Sequence, residues 1–369
     1  MNNWKKCKLG DIAEVVGGGT PSTKVDEYWN GDIAWITPKD LTSYNKVFIS
    51  KGARSITKLG LSQSSAKLMP KGTVLLTSRA PIGYIAIAEN EISTNQGFKS
   101  LIPKENLTTS KFLYYWLKNN VEYLKNLSVG TTFAEISGQI VKEVEILLPP
   151  LEEQRQIADI LSSIDDKIEL LHEQNKTLEE LAQTLFRHYF IENPNPSWQN
   201  VKIKKLVNIT SGKSLKRLDM QDDGENPILG ANGIIGFTNK YLYNEPLLYT
   251  GRVGTLGKVF MINSAKKVWL SDNTLIINPS SNFYFMYFIL KTSSLENLDV
   301  GSTQPLIRQS DLGEIEISLA DDLLLEQFDI AAKKIFDKID KNLEQIQTLE
   351  NMRDILIPKL LNGEIKINN

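Results

Sequence analysis

The sequence predicts an α/β fold of the mixed α+β kind, in which two similar domains are separated by a pair of long helices that form an antiparallel coiled coil. Three observations predict this fold. Residues 151–191 and 322–369 carry apolar residues at the spacing of a helical seam. Each of these segments follows a stretch in which short apolar runs are bounded by turn residues, as in strands. The two halves of the chain also resemble each other, which indicates an internal repeat with pseudo-two-fold symmetry.

The repeat is clearest from Gly130 onward. There "GTTFAEISGQIVKEVEILLP" (130–149) matches "GSTQPLIRQSDLGEIEISLA" (301–320) at an offset of 171 residues, and the offset persists through the helical segments. Because one offset covers loop, strand and helix, we interpret the match as a duplication and not as the chance likeness of two amphipathic helices. Upstream, "TSRAPIGYIAI" (77–87) matches "TGRVGTLGKVF" (250–260), which aligns Arg79 with Arg252.

The repeat predicts four segments: a mixed domain at 1–150, a long helix at 151–191, a second mixed domain at 192–321 and a second long helix at 322–369. Short apolar or β-branched runs predict strands at 72–79, 84–89 and 144–149, and at 246–252, 257–262 and 315–320 in the second domain. Aromatic-rich stretches at 110–125 and 282–291 predict a helix in each domain.

The long helices carry the most regular pattern in the chain. In the first, the 4,3 spacing selects the seam residues Ile157, Leu161, Ile164, Ile168, Leu171, Leu178, Ala182 and Leu185, with Asn175 as its one polar member. In the second, the equivalent positions are Phe328, Ala332, Ile335, Ile339, Asn342, Ile346, Leu349, Arg353 and Leu356, and Leu343 and Met352 are further candidates.

The path of the chain predicts that the two helices run in opposite directions. Pro149 and Pro150 mark the start of the first helix and have no counterpart before the second. A helix of roughly 35 residues is about 50 Å long at ~1.5 Å per residue. The second helix can cover the first seam only by running back along it, so we expect a rod with one mixed domain at each end.

Composition excludes several classes of site. The single cysteine, Cys7, excludes an internal disulfide and a zinc site built from several cysteines. The two histidines, His172 and His188, both lie on the first long helix, which argues against histidine-based catalysis or a histidine metal site. No segment completes a phosphate-binding P-loop. We therefore expect no catalytic residue, no metal and no cofactor in this chain.

No apolar run is long enough to cross a membrane, and the first residues lack the apolar core of a secretory leader. We therefore expect a cytoplasmic protein with no membrane partner. The net charge of −2 argues against a uniformly basic surface, but a whole-chain sum can hide a local basic face. Residues 201–218 hold six basic side chains and no acidic one, and they are either such a face or an ordinary solvated stretch.

Residues suited to binding nucleic acid are better represented. Arg79 and Arg252 each follow a predicted strand and precede a glycine-bearing turn, and arginine can contact guanine O6 and N7 together. Asn95, Gln96 and Asn273 have the amide groups that suit adenine. For any single Asn or Thr, capping of its own backbone is the alternative. The loop "GGGTPSTK" (17–24) is either a flexible loop with hydroxyl groups or a plain turn.

Several stretches resemble the specificity (S) subunit of type I restriction-modification systems. They are "LPPLEEQRQIADILSSIDDKIELL" (148–171), "GGGTPSTKVDEYWNGDIAWITPKDL" (17–41), "GTVLLTSRAPIGYIAIAENEISTNQGFKSLIP" (72–103) and "LENMRDILIPKLLNGEI" (349–365). The first resembles the family's central conserved region, the next two resemble its target-recognition domains, and the last resembles the close of its second conserved helix. The resemblance covers essentially the whole chain.

The resemblance implies a function. Each target-recognition domain of the family reads one half of a bipartite site on double-stranded DNA, and the paired helices set the spacing and dock the methyltransferase (modification) subunits. Those subunits bind S-adenosylmethionine and methylate adenine, and a separate restriction/translocase subunit cuts the DNA. The specificity subunit itself is not catalytic. A coiled-coil scaffold with two protein-binding heads is the alternative, and a fused enzyme is a third possibility that the missing catalytic motifs argue against.

The same resemblance identifies candidate DNA contacts. They are Thr77, Ser78, Arg79, Asn95, Gln96, Thr131 and Thr132 in the first domain, and Lys213, Thr250, Arg252, Asn273, Thr303 and Gln304 in the second. The apolar seam residues named above are the candidates for coiled-coil formation and subunit docking.

Overall fold

A computed structural model describes residues 3–128, 134–301 and 303–366 of the 369-residue chain. The chain forms two compact units. The first unit consists of Met1–Leu171 and Gln345–Asn369, and the second consists of His172–Glu344. Both long helices therefore contribute one part to each unit. The limits of the four predicted segments stay a prediction.

In the part of the first unit that the structure describes, ten strands and five short α-helices precede the first long helix. The strands are β1 (Lys5–Lys8), β2 (Ala13–Gly17), β3 (Trp29–Ile36), β4 (Phe48–Ile49), β5 (Arg54–Ile56), β6 (Val74–Ser78), β7 (Ile82–Ala88), β8 (Ile92–Thr94), β9 (Lys99–Pro103) and β10 (Glu145–Leu148). The helices are α1 (Leu9–Ile12), α2 (Lys58–Ser62), α3 (Ser110–Asn119), α4 (Val121–Asn126) and α5 (Gly138–Glu143), and they are followed by the first long helix, α6 (Leu151–Phe186).

The strands of the first unit form three sheets. The largest has the order β2-β9-β6-β7-β4, and the others have the orders β5-β3-β8 and β1-β10. Strand β6 lies in the middle of the largest sheet and is buried at every position, which its run of apolar residues requires. It pairs antiparallel with both β7 and β9.

The second unit repeats this arrangement with nine strands. They are β11 (Gln199–Lys202), β12 (Val207–Ser211), β13 (Asn226–Gly230), β14 (Gly233–Thr238), β15 (Leu247–Gly251), β16 (Val259–Ile262), β17 (Trp269–Leu270), β18 (Thr274–Pro279) and β19 (Glu316–Leu319). Its sheets have the orders β12-β18-β15-β16, β14-β13-β17 and β11-β19. Its helices are α7 (Phe283–Thr292), α8 (Gln309–Gly313) and the second long helix, α9 (Asp322–Leu361).

The predicted strands are confirmed by β6, β7, β10, β15, β16 and β19. The prediction of one helix over residues 110–125 is wrong, because the helix is interrupted at Asn120, between α3 and α4. The Asn120 side-chain amide donates to the Trp116 carbonyl oxygen at 2.8 Å. This local bond competes with continuation of the helix.

The starts of the two long helices use different chemistry. Helix α6 begins directly after Pro150, whose missing N–H costs nothing at a helix start. Helix α9 has no proline there, and the Asp321 carboxylate instead accepts from the Leu324 N–H at 3.0 Å. An aspartate at this position satisfies one of the free N–H groups of the first turn.

In the first unit the helices pair as an antiparallel seam. Ile164, Ile168 and Leu171 are buried against Ile346, with Leu349 and Leu356 partly buried in the same cluster. Nearer the start of α6, Ile157 and Leu161 join the domain core together with Ile357, Leu360 and Leu361 near the end of α9. The order along α6 is thus the reverse of the order along α9, which confirms the predicted antiparallel direction in this unit.

Within the second unit the two long helices are antiparallel as well. The buried Asn342 amide donates to Asn175 Oδ1 at 2.7 Å. Further along α6, Phe186 packs against Phe328, with ring centroids 5.9 Å apart. The remaining predicted seam residues lie in the same core, with Ile339 buried and Leu178, Leu185 and Ile335 partly buried.

The proposed extension of the second seam to Leu343 and Met352 is wrong. Their side chains are 46% and 50% exposed, so they lie off the seam. The seam of α9 contains Asn342 and Arg353 at their predicted positions, and the loss of apolar character there explains its noisier pattern. In the part of the chain that the structure describes, no helix is both long and apolar enough to span a membrane.

Candidate nucleic-acid interface

The carboxyl end of β6 holds the first group of predicted contact residues. Thr77 and Ser78 are fully buried. The Thr77 hydroxyl oxygen accepts from the Tyr84 N–H at 2.8 Å, and the Ser78 hydroxyl donates to the Gly97 carbonyl oxygen at 3.2 Å. In the second unit Thr250 is also fully buried, and its hydroxyl donates to the Lys258 carbonyl oxygen at 2.8 Å. These three hydroxyls hold strand ends together, and we do not retain them as contact candidates.

Arg79 lies one residue beyond β6, where the chain pairs with Glu135 in an isolated antiparallel bridge. The Ile136 N–H fixes this bridge by donating to the Ser78 carbonyl oxygen at 3.0 Å. Arg79 Nη1 lies 3.4 Å from Glu135 Oε2, and Lys99 Nζ lies 3.2 Å from Glu135 Oε1. Two cations therefore share one carboxylate, which leaves a local net charge of +1.

A cavity of about 610 Å³ opens beside this cluster. Its described lining residues are Arg79, Ala80, Pro81, Ile82, Lys125, Ser128, Ala134 and Glu135. The wall is mainly apolar, with charged groups from Arg79, Lys125 and Glu135. A concave surface of this kind, with a few convergent polar groups, is typical of a binding site.

The turn at residues 95–97 lies next to the same strand end, because the Ser78 N–H donates to the Gly97 carbonyl oxygen at 2.8 Å. Asn95 Oδ1 accepts from the Gly97 N–H at 2.9 Å, so this side chain caps its own backbone. Gln96 is exposed, and its Oε1 accepts from the Thr20 hydroxyl. Arg79, which follows β6, and Gln96, which precedes β9, thus lie at the same end of these two paired strands.

The glycine-rich loop is a packed segment and not a plain turn. A Cβ atom on Gly18 would lie 2.1 Å from the Asn95 carbonyl oxygen, and one on Gly19 would lie 2.3 Å from the Ala66 nitrogen. Both distances are far below van der Waals contact, so only glycine allows this approach. The loop thereby carries Thr20 to Gln96.

In the second unit the predicted residues are gathered around Arg252. The Arg252 N–H donates to the Asn273 carbonyl oxygen at 2.7 Å, and the Ile307 N–H donates to the Arg252 carbonyl oxygen at 2.9 Å. Asn273, Thr303 and Gln304 are exposed. The Gly254 N–H donates to the Pro305 carbonyl oxygen at 3.0 Å, which ties the 303–305 loop to the turn after Arg252.

Lys213 is exposed, and its backbone N–H donates to the Leu270 carbonyl oxygen at 2.9 Å. Two other lysines of the basic segment 201–218 form ion pairs with Glu314, with Lys202 Nζ 2.6 Å from Glu314 Oε2 and Lys204 on the other oxygen. These two salt bridges reduce the basic character of the segment. Lys213 is the member of the segment that remains a contact candidate.

The backbone bonds show that Arg79 and Arg252 are not equivalent. In the first unit the Ser78 N–H binds the turn after β8, and in the second unit the Arg252 N–H makes the corresponding bond before β18. Arg252 therefore stands where Ser78 stands, and Val253 takes the place of Arg79. The predicted alignment of the two arginines is wrong by one residue. Since neighbouring residues of an extended chain point to opposite faces, the arginines are presented differently.

The same comparison shows what replaces Glu135. Val253 forms an isolated antiparallel bridge with Leu306, just as Arg79 does with Glu135. The charged pair of the first unit thus corresponds to an apolar pair in the second. Sequence reasoning did not single out Glu135, Lys99 or Thr20. The change from Glu135 to Leu306, directly before the isoleucine that both copies share (Ile136 and Ile307), was the available signal.

Two predicted contacts, Thr131 and Thr132, lie outside the described residues. Within residues 3–128, 134–301 and 303–366, no three His, Cys, Asp or Glu side chains lie close enough to hold a metal ion. The groups that remain are two partly exposed arginines, together with amides, hydroxyls and a lysine, on loops fixed by strand ends. Such groups can bind phosphates and the edges of bases.

Comparison with known proteins covers the whole chain. The family model for the type I restriction modification DNA specificity domain matches residues 1–180 and 195–352. The type I restriction enzyme MjaIX specificity subunit of Methanocaldococcus jannaschii is 36% identical, with 99% of this chain and 94% of that protein covered. The HindI specificity subunit of Haemophilus influenzae is 22% identical, with coverage of 99% and 100%.

A solved structure has the same fold. The crystal structure of the type I restriction-modification system S subunit from M. genitalium matches with a TM-score of 0.67 at 20% identity, and the match covers 100% of this chain and 97% of that one. The two matched segments of the family model each span one mixed domain and part of a long helix.

Proposed function

The chain belongs to the family of type I restriction-modification specificity subunits, and on that premise we propose that it directs a methyltransferase and a restriction/translocase subunit to a bipartite site on double-stranded DNA. Each mixed domain reads one half of the site. The chain is not itself an enzyme, because the catalytic activities of these systems belong to the partner subunits. We also infer a cytoplasmic location, where the DNA is accessible.

One observation supports this proposal most directly: two units whose sheet orders match, except for the additional strand β4 of the first unit, present different side chains at corresponding loop positions. A constant backbone with exchangeable side chains suits a pair of domains that read two different sequences. Base edges in the major groove present distinct donor and acceptor patterns, so a change of side chain changes the base that is read.

The long helices are proposed to set the spacing and to dock the methyltransferase subunits. Their seam residues are covered by each other within each unit and are not available to a partner. Exposed apolar side chains elsewhere on the helices, such as Leu170 and Leu181 on α6 and Ile330 and Ile355 on α9, are the better docking candidates. Each of these four is at least 47% exposed. S-adenosylmethionine is expected on the partner methyltransferase.

Expression of the full chain with its methyltransferase partner, in a host without adenine methylation, tests the proposal. Sequencing of methylated bases should reveal one split adenine-methylated motif that disappears when this chain is omitted. If methylation is absent, or is independent of this chain, the proposed function is wrong. A scaffold with protein-binding heads would give no such motif.

The two arginine variants test whether each domain reads one half. Arg79→Ala is expected to weaken discrimination in one half-site and Arg252→Ala in the other, each by about 1–3 kcal/mol at the base concerned. Each variant is the matched control for the other. Loss in the same half-site from both variants would contradict the two-domain division.

A further inference from the structure

Glu135 is an acidic residue at a surface that should attract DNA, and its position is fixed by the backbone. Its main chain forms the bridge with Arg79, and the next residue, Ile136, is fully buried and donates its N–H to the Ser78 carbonyl oxygen at 3.0 Å. The backbone that carries the Glu135 carboxylate is therefore bonded to the chain directly after the buried strand β6 and is not a free loop. A group fixed in this way can read a base without first losing conformational freedom.

The surroundings of Glu135 make a negative charge tolerable next to DNA. Lys99 contacts one carboxylate oxygen from the interior side, with a side chain only 18% exposed, whereas Arg79 and Glu135 are 38% and 37% exposed. Lys99 remains beside the carboxylate if Arg79 turns toward another partner. The three groups keep a net charge of +1, so phosphates nearby are not repelled.

Arg79 is held loosely enough to bind a ligand as well. Its contact with Glu135 is long, at 3.4 Å, and uses one guanidinium nitrogen, whereas arginine has five N–H donors. No other side-chain partner of Arg79 is found among the described residues. Half-exposed ion pairs of this kind contribute little net stability, so the guanidinium can pivot at low cost.

The pair matches the edge of one base pair. In the major groove guanine offers two acceptors, O6 and N7, and cytosine offers one donor, the N4 amino group. Guanine O6 and cytosine N4 are hydrogen-bonded to each other and lie about 2.9 Å apart. A guanidinium beside a carboxylate presents donors next to acceptors at a similar separation. No other base pair presents this acceptor–acceptor–donor order.

On the basis of the function proposed above, we propose that Glu135 and Arg79 together read one G·C base pair in the half-site of the first domain, with Arg79 donating to guanine O6 and N7 and Glu135 accepting from cytosine N4. The second domain has Val253 and Leu306 at the corresponding bridge. It lacks both the donor and the acceptor there, so the second half-site does not depend on this reading.

The test uses the full chain with its methyltransferase partner, first to map the split motif of the wild-type protein and then of Glu135→Gln and Glu135→Ala. Both variants should lose discrimination at one G·C position of one half-site, by roughly 5- to 100-fold in competition binding with duplexes of the mapped motif. The other half-site should be unchanged, which shows that the variants fold. Glu91→Gln removes the same charge from an exposed position and should leave the motif unchanged.

A duplex with a modified base distinguishes direct contact of Glu135 with cytosine from a role of Glu135 in positioning Arg79. When the cytosine of that pair is replaced by 2-pyrimidinone, which lacks the 4-amino group, the wild-type protein should lose affinity relative to Glu135→Ala, which has no acceptor to lose. The double substitution Arg79→Val with Glu135→Leu, which introduces the pair of the second domain, should abolish the preference for G·C at that position.

Three results would overturn the inference. They are a first half-site in which no G·C position responds to Glu135, a uniform loss of affinity at every position, and equal sensitivity of the wild-type and Glu135→Ala proteins to the missing amino group. The last result would reduce Glu135 to a residue that only positions Arg79. Failure of the wild-type protein to produce any split motif would instead contradict the proposed function itself.

Discussion

The ion pair between Asp165 and Arg353 inside the helical seam yields a quantitative prediction. Arg353 Nη1 lies 2.9 Å from Asp165 Oδ1, and the two side chains are 16% and 9% exposed. The Tyr115 hydroxyl donates to the other carboxylate oxygen at 2.7 Å. Burial, and next the charge of Asp165, raise the pKa of Tyr115, so the hydroxyl stays a donor across the physiological range. Both oxygens of the carboxylate are therefore occupied.

Arg353→Ala removes the cation and leaves the buried carboxylate with one neutral donor. Removal of one partner of a buried ion pair costs about 3–5 kcal/mol, because the remaining charge is uncompensated. Asp165→Phe on its own should also be unfavourable, since it leaves Arg353 only the exposed Asp354 as an ion-pair partner and leaves the Tyr115 hydroxyl without its acceptor. The second unit indicates an apolar replacement for the ion pair. The repeat places Phe336 and Ala182 at the positions of Asp165 and Arg353, and both are buried in one core.

The double variant Asp165→Phe with Arg353→Ala should therefore be much more stable than the sum of its single changes predicts. We expect a coupling energy of about 3 kcal/mol or more. Tyr115→Phe should recover a further ~1 kcal/mol in the double variant by removing the hydroxyl that lost its acceptor. Urea unfolding of the full chain, followed by circular dichroism, measures these differences. Additive single effects would refute the reasoning, because they would mean that the two charges do not depend on each other.

Three further predictions follow from the same structure. Asn342→Ala should cost about 1–3 kcal/mol by leaving the buried Asn175 amide without a partner, and changing both residues to Leu should restore thermal stability. Gly18→Ala should lower the melting temperature and disturb only the first half-site, whereas Gly17→Ala, with open space around its Cβ, should do neither. Hydrogen bonds from two lysines lower the pKa of Glu314 to about 2, so its favourable contribution is complete above its ordinary pKa of 4.5 and is lost as the pH falls toward 2. Carbon-13 NMR titration should find this pKa, and it should rise when either lysine is changed to Ala.

The helices and their direction could be predicted because the seam residues follow a single spacing along the sequence, which can be recognised without knowing the fold of the mixed domains. Asn175 interrupts the first seam, and its partner, Asn342, interrupts the second, so both could be placed from spacing alone. The exposed positions of Leu343 and Met352 could not be foreseen in the same way. An apolar residue next to a seam position has the residue type expected of the seam, although its side chain does not face the partner helix.

The mixed domains were harder because their strands are short and their loops carry the function. The sequence alignment matched Arg79 with Arg252. The backbone hydrogen bonds of the two units instead place Val253 at the position of Arg79. A shift of one residue changes the similarity of the aligned sequences little, but it reverses the face of the strand to which each side chain points. The burial of Thr77 and Ser78 could not be predicted either. Strand β6 is buried at every position, and a polar residue at the end of an apolar run does not reveal that both faces of the strand are covered.

The differences between the two halves of the seam determine which helix can pair with which. In the antiparallel arrangement Asp165 faces Arg353, and the equivalent positions of the second unit hold Phe336 and Ala182. Two copies of α6 set against each other in this register would place Asp165 next to Ala182, and two copies of α9 would place Phe336 next to Arg353. The first arrangement buries the Asp165 carboxylate without a cation, at a cost of several kcal/mol. The second replaces Asp165 beside Arg353 with a phenyl ring and leaves the arginine only the exposed Asp354 of its own helix as an ion-pair partner. Only the pairing of α6 with α9 matches acid with base and large with small. Divergence after duplication has therefore made the two helices complementary to each other and unsuited to themselves.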